Sequence, residues 1–180
     1  MTQLIETART RLTPWHSDDW RALHAIAREP EVMRYITNGA PWTETQTQEF
    51  VARQLRHFSE RTYCLWKLNV KSDGASESDR NVDGLCGIQP LVETDEIEIG
   101  WWLAQRHWGK GIASEAAHAA ARDAFERVGL DRLVAVAVKE NAASLRIMEK
   151  LGMAYERNII HRGVPVVLYS VTKSHWLTLS

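Results

Sequence analysis

Hydrophobic and polar positions change period several times along the chain, and each change marks an element. The run Thr7 to Pro14 reads as a first strand ending in a turn. Ser17 can cap a helix from about Asp18 to Ala27, whose two early acids sit where the helix dipole favours them. Pro30 opens a short helical piece through Tyr35, and the region of Asn38-Gly39 and Pro41 is a loop. Thr43 and Gln46 fit a capping box, and Val51, Leu55 and Phe58 follow at helical spacing, which predicts a helix over Glu44 to Ser59. Between Thr62 and Val70, residues Cys64, Trp66, Leu68 and Val70 fall on one face, the period of a strand.

Lys71 to Asp83 is polar and rich in Ser, Asp and Gly, and reads as a floppy hairpin loop, the place for disorder rather than a domain boundary. Two strands follow, Gly84 to Val92 and Asp95 to Leu103, joined closely enough for an antiparallel meander. The pattern then changes. Gly109 to Val128 is an Ala-rich helix closed by Gly129, Arg132 to Val138 is a nearly all-apolar strand, and Asn141 starts a helix that Gly152 ends. Strand, helix and apolar strand in succession imply a crossover and a parallel pair in the middle of a sheet. Ala154 to Arg162 and Val164 to Thr172 are two last strands, turned by Arg162-Gly163.

The 180 residues suit one domain, with no internal repeat. Lys and Arg number 22 against 23 Asp and Glu, so no electrostatic argument favours nucleic acid or an anionic membrane as partner. No apolar window reaches the ~20 residues of a membrane span and the first residues lack a signal-peptide core, so a cytoplasmic protein is expected. Cys64 and Cys86 are isolated and read as reduced, buried thiols, and the seven His never stand at metal spacing, so no metal is expected. The unusual residue is tryptophan, with eight against four Tyr and three Phe. An indole is a large apolar plate with one donor, useful in a core and in a pocket.

The chemistry concentrates in the stretch from Trp101 to Glu115. A strand joins a helix N-terminus there through Gly109 and Gly111, flanked by Arg106 and Lys110. Such a turn exposes successive N–H groups and aims the positive end of a helix at a ligand, so an anion such as a pyrophosphate is expected. A Walker loop is excluded, since Gly109-Lys110-Gly111 lacks a hydroxyl residue after the lysine and the first glycine upstream. A dinucleotide fingerprint comes nearer, with Gly109-x-Gly111-x-x-Ser114 and Glu140 after the next strand, but the upstream meander is not the βαβ unit that fold begins from.

Arg106-x-x-Gly109-x-Gly111 followed by Ile112-Ala113 resembles the acetyl-CoA-binding motif of the GNAT N-acetyltransferase superfamily. Asn141-x-x-Ser144, with Glu149-Lys150-Leu151-Gly152-Met153, resembles that family's segment along the pantetheine arm. Thr10-Arg11-Leu12 and Trp108 to Ala116 are similar to the RimJ/RimL-type branch of ribosomal-protein N-terminal acetyltransferases. The resemblance implies a GNAT-like α/β fold: a mostly antiparallel sheet of about seven strands, a splayed parallel pair at its centre and flanking helices. It implies transfer of an acetyl group from acetyl-CoA, with no metal, to the primary amine of a peptide N-terminus or a small compound. Dimers are common among similar proteins, so a homodimer stays open.

The splayed strands would be Asp95 to Leu103 and Arg132 to Val138. The backbone N–H near Leu103 would then face the thioester oxygen, and the amides from Arg106 to Ala113 would hold the pyrophosphate. The cofactor-binding set implied is Trp102, Leu103, Arg106, His107, Trp108, Gly109, Lys110, Gly111, Ile112, Ala113, Asn141 and Ser144. Direct transfer needs a base for the amine and an acid for the leaving thiolate. Many relatives place a Tyr acid seven residues after the Asn, where this chain has Met148; the resemblance to the RimJ/RimL-type branch implies Ser144 as the replacement, with Tyr155 the reserve. Glu96 and Glu98, on one strand face near the splay, are the candidate bases.

Tyr35, Trp42, Trp101 and Trp102 could wall the acceptor or fill the core. No acidic cluster in the acceptor-side loops indicates a polycationic acceptor. A CoA-binding regulatory or scaffold domain without turnover, and a dinucleotide-binding protein, are the alternatives.

Overall fold

The computed structural model describes residues 4–71 and 81–179. The strand expected over Thr7 to Pro14 is β2 (Thr10–Thr13), and an unexpected two-residue strand before it, β1 (Ile5–Glu6), pairs with it as a hairpin. Thr7 turns the chain, its hydroxyl accepting from the Thr10 amide at 2.8 Å. Helix α1 (Trp20–Ala27) starts later than expected, because Ser17–Asp19 form a 3-10 turn. Asp19, not Ser17, reaches back to the His16 amide at 2.8 Å, and it also takes the buried Lys67 ammonium at 2.9 Å. That buried ion pair ties the turn to the sheet.

Helix α2 (Pro30–Met33) is short, and α3 (Glu44–Arg61) opens on the expected capping box. Thr43 Oγ1 accepts from the Gln46 amide at 3.2 Å, and Gln46 Oε1 from the Thr43 amide at 2.8 Å. Strands β3 (Leu65–Val70), β4 (Gly84–Pro90) and β5 (Ile97–Leu103) form the antiparallel meander. Most of the loop expected between β3 and β4, at 72–80, lies outside the described residues.

The Ala-rich segment is α4 (Ile112–Asp123), whose last turn, Ala124–Val128, widens into a π turn before Gly129. Strand β6 (Arg132–Ala137), α5 (Ala142–Lys150), β7 (Ala154–His161) and β8 (Val164–Thr172) follow as read from the sequence. A closing helix, α6 (Lys173–Leu177), was not expected. Thr172 caps it, and its Trp176 packs on Phe125 at 5.4 Å.

The eight strands form one sheet in the order β1-β2-β3-β4-β5-β6-β8-β7, one more than expected because of β1. Among the described residues β5 and β6 are the one parallel pair, as a crossover through α4 requires. Ala116, Ala117, Ala120 and Ala121 are buried, and their small side chains let α4 lie close on β4 and β5. This fixes the helix start beside the end of β5.

Candidate active site

Strands β5 and β6 register at Glu98 and Val134, and no rung is registered beyond. A cavity of about 180 Å³ opens past that point, lined by Ile99 to Trp102 on one strand and Val136 to Val138 on the other. The expected splay is therefore present at the expected strands. The direction of the free backbone groups follows from strand alternation. The Ala104 amide donates to the Asp83 carbonyl of the preceding segment at 2.8 Å, so the neighbouring residue Leu103 turns its N–H and C=O to the open side. Its carbonyl accepts from Trp108 Nε1 at 2.9 Å, which leaves the Leu103 N–H aimed into the gap.

A second cavity, of about 480 Å³, lies between the start of α4 and α5. Trp102, Leu103, His107, Trp108, Gly109, Gly111, Ile112 and Ala113 line it, together with Asn141 and Ser144. Both glycines have left-handed backbone, with φ of +70° and +74°, which side chains resist. The first amides of α4 have no preceding turn to bond, and the residues that carry them border the cavity.

The two charges expected to meet the phosphates are occupied with the loop itself. Arg106 pairs with Asp83, His107 Nε2 lies 3.0 Å from the same carboxylate oxygen, and Lys110 Nζ donates to the Arg106 carbonyl at 2.7 Å. From the other side Arg9 donates to the Lys110 carbonyl at 2.8 Å and pairs with Glu115 at 2.6 Å. Asp83 and Arg9 thus hold the loop at its two sides, and the backbone amides are left as its main donors. Burial pushes the Asp83 carboxyl up, but the Val70 amide, Arg106 and His107 outweigh it and hold the group below the ordinary carboxylate range.

The two cavities share Tyr35, Ile36, Trp101, Trp102, Asn141 and Ser144. Asn141 Oδ1 accepts from the Ser144 amide at 3.2 Å, so Asn141 caps α5 and holds Ser144 at the junction. Met148 is buried in the wall of the smaller cavity, where its thioether offers no acidic proton. Tyr155 is 53% exposed, bonded to Asn158 and stacked edgewise on Tyr169, and it lines neither cavity.

The two candidate bases part company. Glu96 is bound by Arg132 at 3.1 Å in a network that includes Glu156 and Arg157. Glu98 is 8% exposed in the smaller cavity, and burial pushes its carboxyl up despite a hydrogen bond from Gln89 and the positive field of Arg162 and Arg53. Of the pair, Glu98 alone lines the cavity, with its proton affinity raised by burial.

The aromatic wall is partly as expected. Trp42 packs edgewise on Trp102 at 5.7 Å and tilted on Phe50 at 5.3 Å, and with Tyr35 and Trp101 all four indole and phenol rings named from the sequence line the smaller cavity. Trp108, 45% exposed, belongs to the larger one. Trp15, Trp66 and Trp176 are core.

Residues 9–154 match the family model described as an acetyltransferase (GNAT) domain. The chain belongs to the GNAT acetyltransferases. Membership makes it an acetyl-CoA-dependent N-acetyltransferase. The uncharacterized protein YkkB of Bacillus subtilis is 32% identical, over 93% of this chain and 94% of its own. Spermidine N(1)-acetyltransferase of Escherichia coli K12 is 27% identical, over 84% and 76%. A solved GNAT-family acetyltransferase from Bacillus anthracis superposes with a TM-score of 0.76 at 26% identity, over 96% and 99%.

The GNAT site also contains residues that the motifs do not reveal. Gln54 and Gln89 are buried behind Glu98, and Asp83 and Arg9 brace the loop. The signal for the glutamines was a polar residue inside an otherwise apolar face, which becomes visible only once the partner elements are known. Among the described residues no group of three His, Cys, Asp or Glu could hold a metal, and no helix is long and apolar enough to cross a membrane. Cys64 and Cys86 are buried and free, and burial pushes the Cys64 thiol up to about 12.

Proposed function

We propose that this GNAT enzyme acetylates a primary amine by direct attack, with Glu98 as base and Ser144 as acid. The observation that carries the reading is the meeting of the two cavities at Ser144, with Glu98 on the acceptor side alone. The larger groove takes acetyl-CoA: the α4 amides hold its pyrophosphate, and Trp102, Leu103 and Asn141 border its arm. Acetyl-CoA supplies the activated acyl group. Glu98 removes a proton from the amine, directly or through water, so that the nitrogen attacks as a neutral base. The Leu103 N–H faces the acyl oxygen as negative charge develops there; as the C–N bond forms and the C–S bond breaks, Ser144 gives its hydroxyl proton to the departing sulfur and takes back the one that the attacking nitrogen sheds.

The RimJ/RimL-type likeness supports Ser144 in place of a tyrosine acid. It also keeps a protein α-amine among the acceptors, beside small amines of the kind acetylated by the spermidine-acetylating relative. Thiol release from acetyl-CoA across amino acids, peptides and polyamines, with the product weighed by mass spectrometry, tests the reading. One N-acetyl product per thiol released is expected. Tight CoA binding with no amine-dependent release would instead favour a regulatory CoA-binding domain.

A further inference from the structure

The smaller cavity is lined by two guanidiniums, Arg53 of α3 and Arg162 of the β7–β8 turn, and by one carboxylate, Glu98. Among the described residues neither arginine lies within ion-pair distance of a carboxylate. Arg53 stacks on Phe50, 5.3 Å from the ring centroid, and its strongest electrostatic neighbour is Arg162. Both face the Glu98 carboxylate without pairing with it. Arginine stays charged whatever its surroundings, whereas His161, the remaining titratable imidazole of the wall, has its pKa lowered by burial and by Arg162. Even with Glu98 ionised, two guanidiniums against one carboxylate leave the chamber with a net positive charge at neutral pH, and neither arginine is paired among the described residues.

From this arrangement we infer that the acceptor is a primary amine carrying a carboxylate a few bonds from its nitrogen. The amine points at Glu98 and Ser144, and the carboxylate lies between Arg53 and Arg162. This rests on the transferase reading above and narrows its acceptor. A planar guanidinium meets a carboxylate with two parallel hydrogen bonds, and a pair of them fixes the orientation of a small amino acid over the base. A cavity of about 180 Å³ takes such a head group. A polyamine would place further cations against two arginines with one acid to receive them.

The test compares kcat/KM, measured by thiol release, for matched acceptors that differ only in charge. Phenylalanine and leucine are set against their α-amides, Ser-Glu-Ala-Ala against Ser-Gln-Ala-Ala, and spermidine stands as the polycation. The acids are expected to exceed their amides by about tenfold or more, the size of a charged hydrogen bond. The amino-acid and peptide arms tell which kind of molecule carries the carboxylate. Arg162→Gln and Arg53→Gln should narrow the ratio, and Arg162→Glu should reverse it, with CoA binding by each variant confirming an intact fold. Amides or spermidine used as well as the acids by the wild type, or an unchanged ratio in CoA-binding Arg162→Glu, would overturn the inference and leave acetyl transfer standing. No amine-dependent release with any acceptor would overturn the transferase reading and this inference with it.

Discussion

The side-chain amide of Gln89 donates to Oε1 of Glu98 at 2.7 Å, and the same amide's oxygen accepts from Gln54 Nε2 at 3.1 Å. Gln54 Oε1 in turn accepts from the Leu65 amide at 2.9 Å. Each donor in this buried chain points toward the carboxylate, so a backbone N–H of β3 fixes the direction of the whole series. The end of the chain favours the ionised form of Glu98 and opposes the effect of burial.

Replacing Gln89 by Leu removes that donor, so the Glu98 carboxyl is pushed up further than burial already raises it. The acidic limb of the kcat/KM–pH profile should move to higher pH by about one unit, the worth of one hydrogen bond to a charged group. A profile unchanged from wild type would remove Glu98 from the role of base.

Glu98→Gln should cost activity on the order of a hundredfold or more, the usual contribution of a general base. It should also stabilise the fold at neutral pH. A carboxyl raised in the native state binds its proton more tightly there than when unfolded, so wild-type stability falls as pH rises above about 4.3, the unfolded value. The neutral amide lacks this loss. Thermal unfolding should therefore show the variant ahead at pH 7 and level with wild type near pH 4.

Ser144→Ala and Asn141→Ala separate chemistry from scaffolding. Ser144 lies at the junction of the cavities, and its loss should lower kcat with little change in the KM for acetyl-CoA. Asn141 caps α5, so its loss should cost about 1 kcal/mol of stability and raise that KM as well. Steady-state kinetics and thermal unfolding of the two variants check the contrast.

Asp83→Asn should raise the KM for acetyl-CoA several-fold and leave kcat nearly unchanged, because Asp83 braces the loop without lining either cavity. Its carboxyl is depressed in the folded state, so it stabilises the protein above the unfolded value of about 3.9 and loses that contribution as pH falls through the folded value. The stability difference between variant and wild type, followed by thermal unfolding, should shrink below that pH.

The alternation and helical spacing placed most strands and helices within a few residues, since those periods report local geometry. Strand β1 was missed, because its two residues are too few to show a period. Helix α6 was missed for a similar reason, being a single turn held by Thr172 and the packing of Trp176. Gly109, Gly111 and Asn141 were legible, because their roles are set by backbone conformation and capping. The separation of Glu98 from Glu96 was not. It depends on Arg132, which is distant in sequence and reaches Glu96 only after β6 pairs beside β5. The brace of Arg9 and Asp83 on the glycine loop is equally nonlocal, and it explains why Arg106 and Lys110 serve the loop's shape before its ligand.

The central claim is that amine and acetyl-CoA meet across the junction at Ser144 and react directly. Initial rates of thiol release, with both substrates varied together, test it most directly. Amine-dependent release whose double-reciprocal lines intersect is the predicted result, because both molecules must be bound at once. Parallel lines, which signal an acetylated enzyme, or release that does not depend on the amine, would contradict it.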